Sequence, residues 1–102
     1  MKFIIIYITY PDMKTAKKIV ASLMAERLIA CANFFPIENT YWWKGKIESG
    51  KEVVSIVKTK SSNWAKIKSA VTKLHPYEVP CIMKMDVEAN KSYEEWINGE
   101  VK

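Results

Sequence analysis

The chain has a single histidine, His75, and two cysteines, Cys31 and Cys81, so nucleophilic or metal-binding chemistry must be built around very few groups. His75 ends an apolar helical pattern and precedes Pro76. A histidine there either supplies a donor to the last helical carbonyls or faces a pocket. One histidine does not make a tight zinc site, which as a rule needs four ligands. Cys31 would act as a nucleophile with His75 as its base if the two came within hydrogen-bond reach; otherwise it is a small buried strand residue. Cys81, Met83 and Met85 alternate along one segment and offer soft donors suited to Cu(I). The same alternation is what a core-facing strand shows, and the core is the expected destination. Glu52, Lys58, Tyr41, Tyr77 and Glu78 have the chemistry to line a cleft. Lys58 interrupts a run of Val and Ile, and a buried lysine needs a partner, for which Glu52 or Glu78 is expected. Trp42 and Trp43 are neighbours in an extended segment and so point to opposite faces. One is expected to enter the core and the other to meet a partner surface.

The elements that must position these groups can be read from hydrophobic period and punctuation. Phe3 to Tyr10 is rich in Ile and Tyr, which predicts a central strand. The run from Met1 resembles a signal peptide at a glance, but it is short and Thr9-Tyr10-Pro11-Asp12 interrupts it, so it reads as a buried strand. Asp12 is the N-cap of a helix running to about Leu28, with Ala16, Ile19, Val20, Leu23 and Leu28 as its apolar stripe. Ala30 to Trp43 reads as a long strand at an edge or with a bulge, because Pro36 lies within it. Lys44-Gly45-Lys46 is a short turn, and Glu52 to Lys60 alternates as the hairpin partner. Ser61 or Ser62 caps a second helix ending near Leu74, with Trp64, Ile67, Val71 and Leu74 on one face. Pro76 enforces its stop. The segment Pro76-Tyr77-Glu78-Val79-Pro80 is expected to run extended. Pro80 to Val87 is a fourth strand, with Cys81, Met83, Met85 and Val87 on one face. Lys91 to Asn98 forms a last helix with Tyr93, Trp96 and Ile97 inward and Gly99 as its stop. The order β-α-β-β-α-β plus a terminal helix predicts an α+β, ferredoxin-like split βαβ sandwich, strand order 4-1-3-2, in a single domain over 1–102. Strands two and four are then at opposite edges, which makes a Cys31–Cys81 disulfide within the chain unfavourable.

Composition narrows the function classes. The chain has 102 residues, 49% hydrophobic and 26% charged, which suits one globular domain. Its net charge of +5 comes from 16 basic residues, of which only Arg27 is arginine. Nucleic-acid readers lean on arginine for bidentate contacts, so the lysines read as solvated helix faces and no nucleic-acid partner is expected. No segment approaches the roughly 18 apolar residues of a membrane span. Two isolated cysteines form neither a disulfide framework nor a C-x-x-C metal motif, which points to a reducing compartment, the cytoplasm. Four Trp and five Tyr are more than so small a domain can hide, which favours a protein interface.

Several segments together resemble the CutA-like divalent-cation tolerance family. They are Thr9-Tyr10-Pro11-Asp12, Glu26-Arg27-Leu28-Ile29-Ala30-Cys31-Ala32-Asn33, Tyr41-Trp42-Trp43-Lys44-Gly45-Lys46-Ile47, Lys58-Thr59, His75-Pro76-Tyr77-Glu78-Val79-Pro80, and Tyr93 with Trp96. They occur in the family's order and span nearly the whole chain. The resemblance implies a ferredoxin-like protomer in a tight homotrimer, a link to tolerance of copper and other divalent metals, and a trimer similar to that of PII-type signalling proteins. It is departed from at Ile8, where some members have Cys; at Leu74-His75, where some have paired His; and at Cys81, where many have Glu. A metal site built from that Cys and the paired His therefore carries over only at His75. Copper binding is accordingly expected to be weak, through His75 or Cys31. A ligand cleft between subunits is also expected, formed by Cys31, Trp43, Lys58, His75, Tyr77 and Glu78. In it the His75, Tyr77 and Glu78 loop of one chain faces Cys31, Trp43 or Lys58 of another.

A conventional enzyme is not expected. The Arg-bearing, Gly-rich loop an acylphosphatase needs after the first strand is replaced by Pro11-Asp12, and no phosphate-binding glycine motif is present. The alternative is a small hydrolase or transferase using Cys31 or His75 in an intersubunit cleft.

Overall fold

The computed structural model describes residues 3–102. Among them the elements are β1 (Phe3–Tyr10), α1 (Met13–Ala25), β2 (Cys31–Trp43), β3 (Lys46–Lys60), α2 (Trp64–Leu74), β4 (Ile82–Val87) and α3 (Lys91–Glu100). Met1 and Lys2, at the start of the expected N-terminal apolar run, lie outside the described residues. The four strands form one antiparallel sheet in the order β2-β3-β1-β4, which is the expected 4-1-3-2 arrangement read from the other edge.

Alternation along β1 sets the two faces of the sheet. Ile4, Ile6, Ile8 and Tyr10 are fully buried and belong to one cluster with Ile19, Leu23, Ile67 and Val71 of α1 and α2. Each buried Ile of this kind contributes about 1.5–3 kcal/mol. Phe3 points the other way and meets Tyr93 edge-on, with ring centroids 6.4 Å apart. α3 therefore covers the Phe3 end of the opposite face; Thr9 and Val54 at its other end are buried too, and the stretch between, where Met83 and Met85 lie, stays open.

Several boundaries differ from the sequence reading, each for a local reason. α1 stops at Ala25 rather than near Leu28. Arg27 adopts φ 56°, its N–H bonds the Met24 carbonyl, and the Leu28 N–H returns to the Leu23 carbonyl. That is a Schellman ending, made here by an arginine in the left-handed region instead of a glycine. Neither Ser61 nor Ser62 caps α2; Ser61–Asn63 forms a 3₁₀ turn, and the Asn63 amide donates to the Leu28 carbonyl and Thr59 Oγ1. Leu74 is 49% exposed, because the buried stripe of Ile67 and Val71 continues at His75 instead. α3 runs through Gly99 to Glu100, and only Ile97 of its expected inward set is fully buried. The segment after His75 bends at Tyr77–Val79 instead of running straight.

The β2–β3 hairpin outgrows the sheet. β1 ends at the Tyr10–Val53 pair, yet β2 and β3 stay paired from Ile37–Glu52 to Trp43–Lys46. Residues 37–52 thus form a two-stranded arm, which accounts for overall dimensions of 45 × 24 × 21 Å. Lys44 and Gly45 close it with φ of 50° and 80°, the pair of positive values a two-residue type I′ turn demands.

Candidate functional site

The expected site residues fall into two groups, of which the first lies on the open face of the sheet. Register places Cys31 opposite Lys58, and Lys58 opposite Ile5, at one end of the face. Lys58 Nζ lies 3.7 Å from Cys31 Sγ and donates to Asn33 Oδ1. The expected partner, Glu52 or Glu78, is thereby replaced by Asn33 and Cys31. Asn33 shares a face with Cys31 because it follows two residues later in the same strand. Burial chiefly, then the nearby Cys31 thiol, pushes the pKa of Tyr93 on α3 up.

The second group lies where β1 ends and the arm begins. His75 is buried between rings, stacked on Tyr10 at 5.5 Å and tilted against Tyr77 at 4.8 Å. The Tyr77 N–H donates to His75 Nδ1 at 3.2 Å, and Nε2 is 2.7 Å from the Thr9 carbonyl. This pair of partners fixes the tautomer: Nδ1 accepts, so Nε2 carries the proton and donates to Thr9. As expected, His75 closes α2, with its backbone N–H on the Val71 carbonyl, but its ring serves β1. The Tyr77 hydroxyl donates to Glu52 Oε2 at 2.6 Å and the Asn39 amide to Glu52 Oε1 at 2.6 Å. Burial and the Glu52 carboxylate hold the Tyr77 phenol in its neutral form far above its usual range. Cys81 is raised by burial and then by Glu52, against the opposing hydrogen bond with Thr9. Tyr10 donates to or accepts from Ser55 Oγ at 2.7 Å, and burial pushes its pKa up to about 12.

His75 sits on Thr9, which pairs with Val54, four positions along β3 from Lys58 and so about 13 Å away at strand rise. Cys31 and His75 therefore do not form a nucleophile–base pair within one protomer. Nor do they share a metal. Both His75 nitrogens are engaged, and a metal needs an unprotonated lone pair. Among the described residues no three His, Cys, Asp or Glu side chains are grouped to hold a metal. The donor set of a single protomer does not fit a resident ion. Glu78 is exposed on the loop, and Trp43 stands at the arm tip with Lys44 Nζ 5.7 Å from its ring centre. Neither tryptophan of the pair enters the core: Trp42 is 72% exposed and Trp43 39%. The arm extends past the helices that would have covered one of them. Cys81, Met83 and Met85 are also not core-facing. Met83 pairs with Tyr7 and Met85 with Ile5 on the open face, where they are 50% and 47% exposed. Neither of two surface grooves, about 490 Å³ along the arm at Asn39 and Gly50 and about 770 Å³ between α1 and α2, contains Cys31, Lys58 or His75.

Sequence reasoning missed Asn33, Asn39 and Thr9 as partners. A period-two reading of β2 marks Asn33 as a face-mate of Cys31, but only the register brings Lys58 to it.

Comparison with known proteins gives a consistent answer. The family model described as CutA1 divalent ion tolerance protein matches residues 4–100. The divalent-cation tolerance protein CutA of Pyrococcus horikoshii is 47% identical over 100 residues, covering 97% of this chain and 98% of that protein. A crystal structure of CutA1 from that organism superposes with a TM-score of 0.93 over 97% of this chain and 98% of the other, at 46% identity. The structure of the periplasmic divalent cation tolerance protein CutA from Archaeoglobus fulgidus reaches a TM-score of 0.95 at 39% identity, covering 98% of this chain and 99% of that one.

Proposed function

Because this chain belongs to the CutA1 divalent ion tolerance family, we propose that it acts as a homotrimer supporting tolerance of divalent cations, copper among them. It does so by weak metal or small-ligand binding at clefts between subunits, in a PII-like binding or signalling role rather than as an enzyme. The observation that carries this reading is the arm. An isolated two-stranded hairpin is marginal in water, yet this one holds Tyr41, Trp42, Trp43 and Ile47 in exposed positions. Such a surface is supported by a partner, and a closed ring of identical chains supplies one to each arm. The half-exposed Met83 and Met85 and the open β4 edge favour the same conclusion.

In the assembly, the His75-Tyr77-Glu78 loop of one chain faces Cys31, Trp43 or Lys58 of a neighbour, joining the two groups that a protomer keeps about 13 Å apart. His75 holds that loop through the Tyr77 N–H, so it positions Tyr77 even where it ligates nothing. Copper is held weakly, through Cys31 as a soft donor or through His75 after displacement of its hydrogen bonds. Placement in the cytoplasm rests on the two unpaired cysteines. No helix among the described residues is long and apolar enough to cross a membrane.

Native mass spectrometry with a metal panel tests assembly and stoichiometry together. A trimer at micromolar concentration with substoichiometric, easily lost copper is expected. A stable monomer would overturn the assembly, and tight one-per-chain metal binding would overturn the weak site.

A further inference from the structure

We propose that Cys31 and Lys58 are a modification site, joined by peroxide oxidation into a covalent sulfenamide that locks β2 to β3. The two residues are direct cross-strand partners, so the backbone fixes their approach before any side chain moves. Lys58 Nζ is already 3.7 Å from Sγ, and Asn33 holds the lysine on that side of the strand. Cys31 is half-buried rather than sealed, which admits an oxidant the size of hydrogen peroxide. Cys81 does not compete as a resolving thiol within the chain, since β2 and β4 are the two outer strands of the sheet.

The chemistry balances with peroxide as the only co-reactant. The Cys31 thiolate attacks one peroxide oxygen; an S–O bond forms, the O–O bond breaks, and water leaves after taking up a proton. The sulfur of the resulting sulfenic acid is electrophilic. Lys58, having released a proton to solvent, attacks it; an N–S bond forms, the S–O bond breaks, and a second water leaves. Thiol and amine together lose two hydrogens, and the peroxide is reduced to two waters. Holding the amine against the sulfur makes the second step effectively unimolecular, which lets it outrun further oxidation to sulfinic acid. The link removes the Lys58 charge and the free thiol together, and a small thiol reverses it. The inference stands on the β2–β3 pairing and shares Cys31 and Lys58 with the proposed cleft, so in the assembled protein peroxide reaches the thiol through that cleft.

The experiment uses a Cys81→Ser chain, in which no intrachain disulfide can form. Limited hydrogen peroxide is added, and the products are read by intact and tandem mass spectrometry. The expected product is lighter than the reduced chain by two hydrogens, with the Cys31 and Lys58 peptides joined, and dithiothreitol restores the starting mass. Adding Lys58→Arg keeps the cation and removes the amine nucleophile; that chain should stop at sulfenic acid and take dimedone many-fold more strongly. Sulfenic or sulfinic acid as the end product with Lys58 present, or equal dimedone labelling of the two chains, would overturn the proposal. If the Lys58→Arg chain fails to fold, the joined peptides in the Cys81→Ser chain decide alone.

Discussion

Tyr10 offers a direct measure of how the arm base is held. It is fully buried, stacks on His75 and shares a 2.7 Å hydrogen bond with Ser55. Tyr10→Phe keeps the ring and deletes the hydroxyl, leaving the buried Ser55 hydroxyl without its partner. At pH 7 the loss should be about 1–3 kcal/mol. The alkaline limb is more discriminating. The unfolded chain releases the phenolic proton near pH 10, while the folded chain keeps it to about 12. Between those values the unfolded state binds fewer protons, so stability falls as pH rises. At pH 11 the Tyr10 share of that fall is about 1.4 kcal/mol, and it approaches about 2.7 kcal/mol above pH 12. The Phe variant lacks this contribution but keeps those of Tyr77 and Tyr93. Guanidinium unfolding of both proteins, at one fixed protein concentration because assembly is linked to stability, should show the gap between them narrowing by about 1.4 kcal/mol from pH 7 to pH 11. A gap that stays constant or widens would show that Tyr10 is not held neutral by its surroundings. Adding Ser55→Ala to Tyr10→Phe should recover most of the loss at pH 7, since both polar partners are then gone.

Three further outcomes are expected. His75→Ala orphans the Thr9 carbonyl and the Tyr77 N–H, about 1–3 kcal/mol for each group that stays buried; thermal unfolding should show the drop, with the assembly state unchanged by sedimentation. Trp42→Ser, at the exposed arm tip, should leave far-UV circular dichroism intact and shift sedimentation toward smaller species; an unchanged trimer would mean that the tip is not an interface. Arg27→Gly should raise stability by up to about 1 kcal/mol by relieving the left-handed backbone. The exposed contacts with Glu100, a 3.7 Å ion pair among them, offset little of this.

The element order was legible because the signals are local. Period-two runs, Pro11, Pro76 and the Lys44-Gly45 turn each declare themselves within a few residues, and Asp12 accepts the Thr15 N–H as its position predicted. The family resemblance was legible for a different reason, being carried by many short segments in order. What failed depends on three dimensions. Alternation at Cys81, Met83 and Met85 says that the strand has two faces, but not which one α1 and α2 cover. Lys58 finds Asn33 through a register that no spacing encodes. The end of α1 was misplaced because Arg27 does what a glycine usually announces, and Trp42 stayed outside because the hairpin is longer than the sheet behind it. Of the expected site, Lys58 with Cys31 and His75 with Tyr77 meet within a protomer; Glu78 and Trp43 stand apart from both pairs.

The strand order also sets a timetable for synthesis. β1 is made first but is the inner strand whose neighbours, β3 and β4, are made much later. The β2–β3 hairpin closes through a tight local turn and can form within about 1–10 μs of leaving the ribosome. β1 must wait for it, and the β1–β4 pairing, which joins Phe3 to Val87, waits until most of the chain has emerged. During that interval the nascent chain presents an Ile-rich strand with an unsatisfied edge beside an aromatic hairpin tip, the kind of species that chaperones engage and crowded polysomes aggregate. Moving β1 to follow β4 by circular permutation would shorten that exposure and should raise the soluble yield of a fast-translated chain.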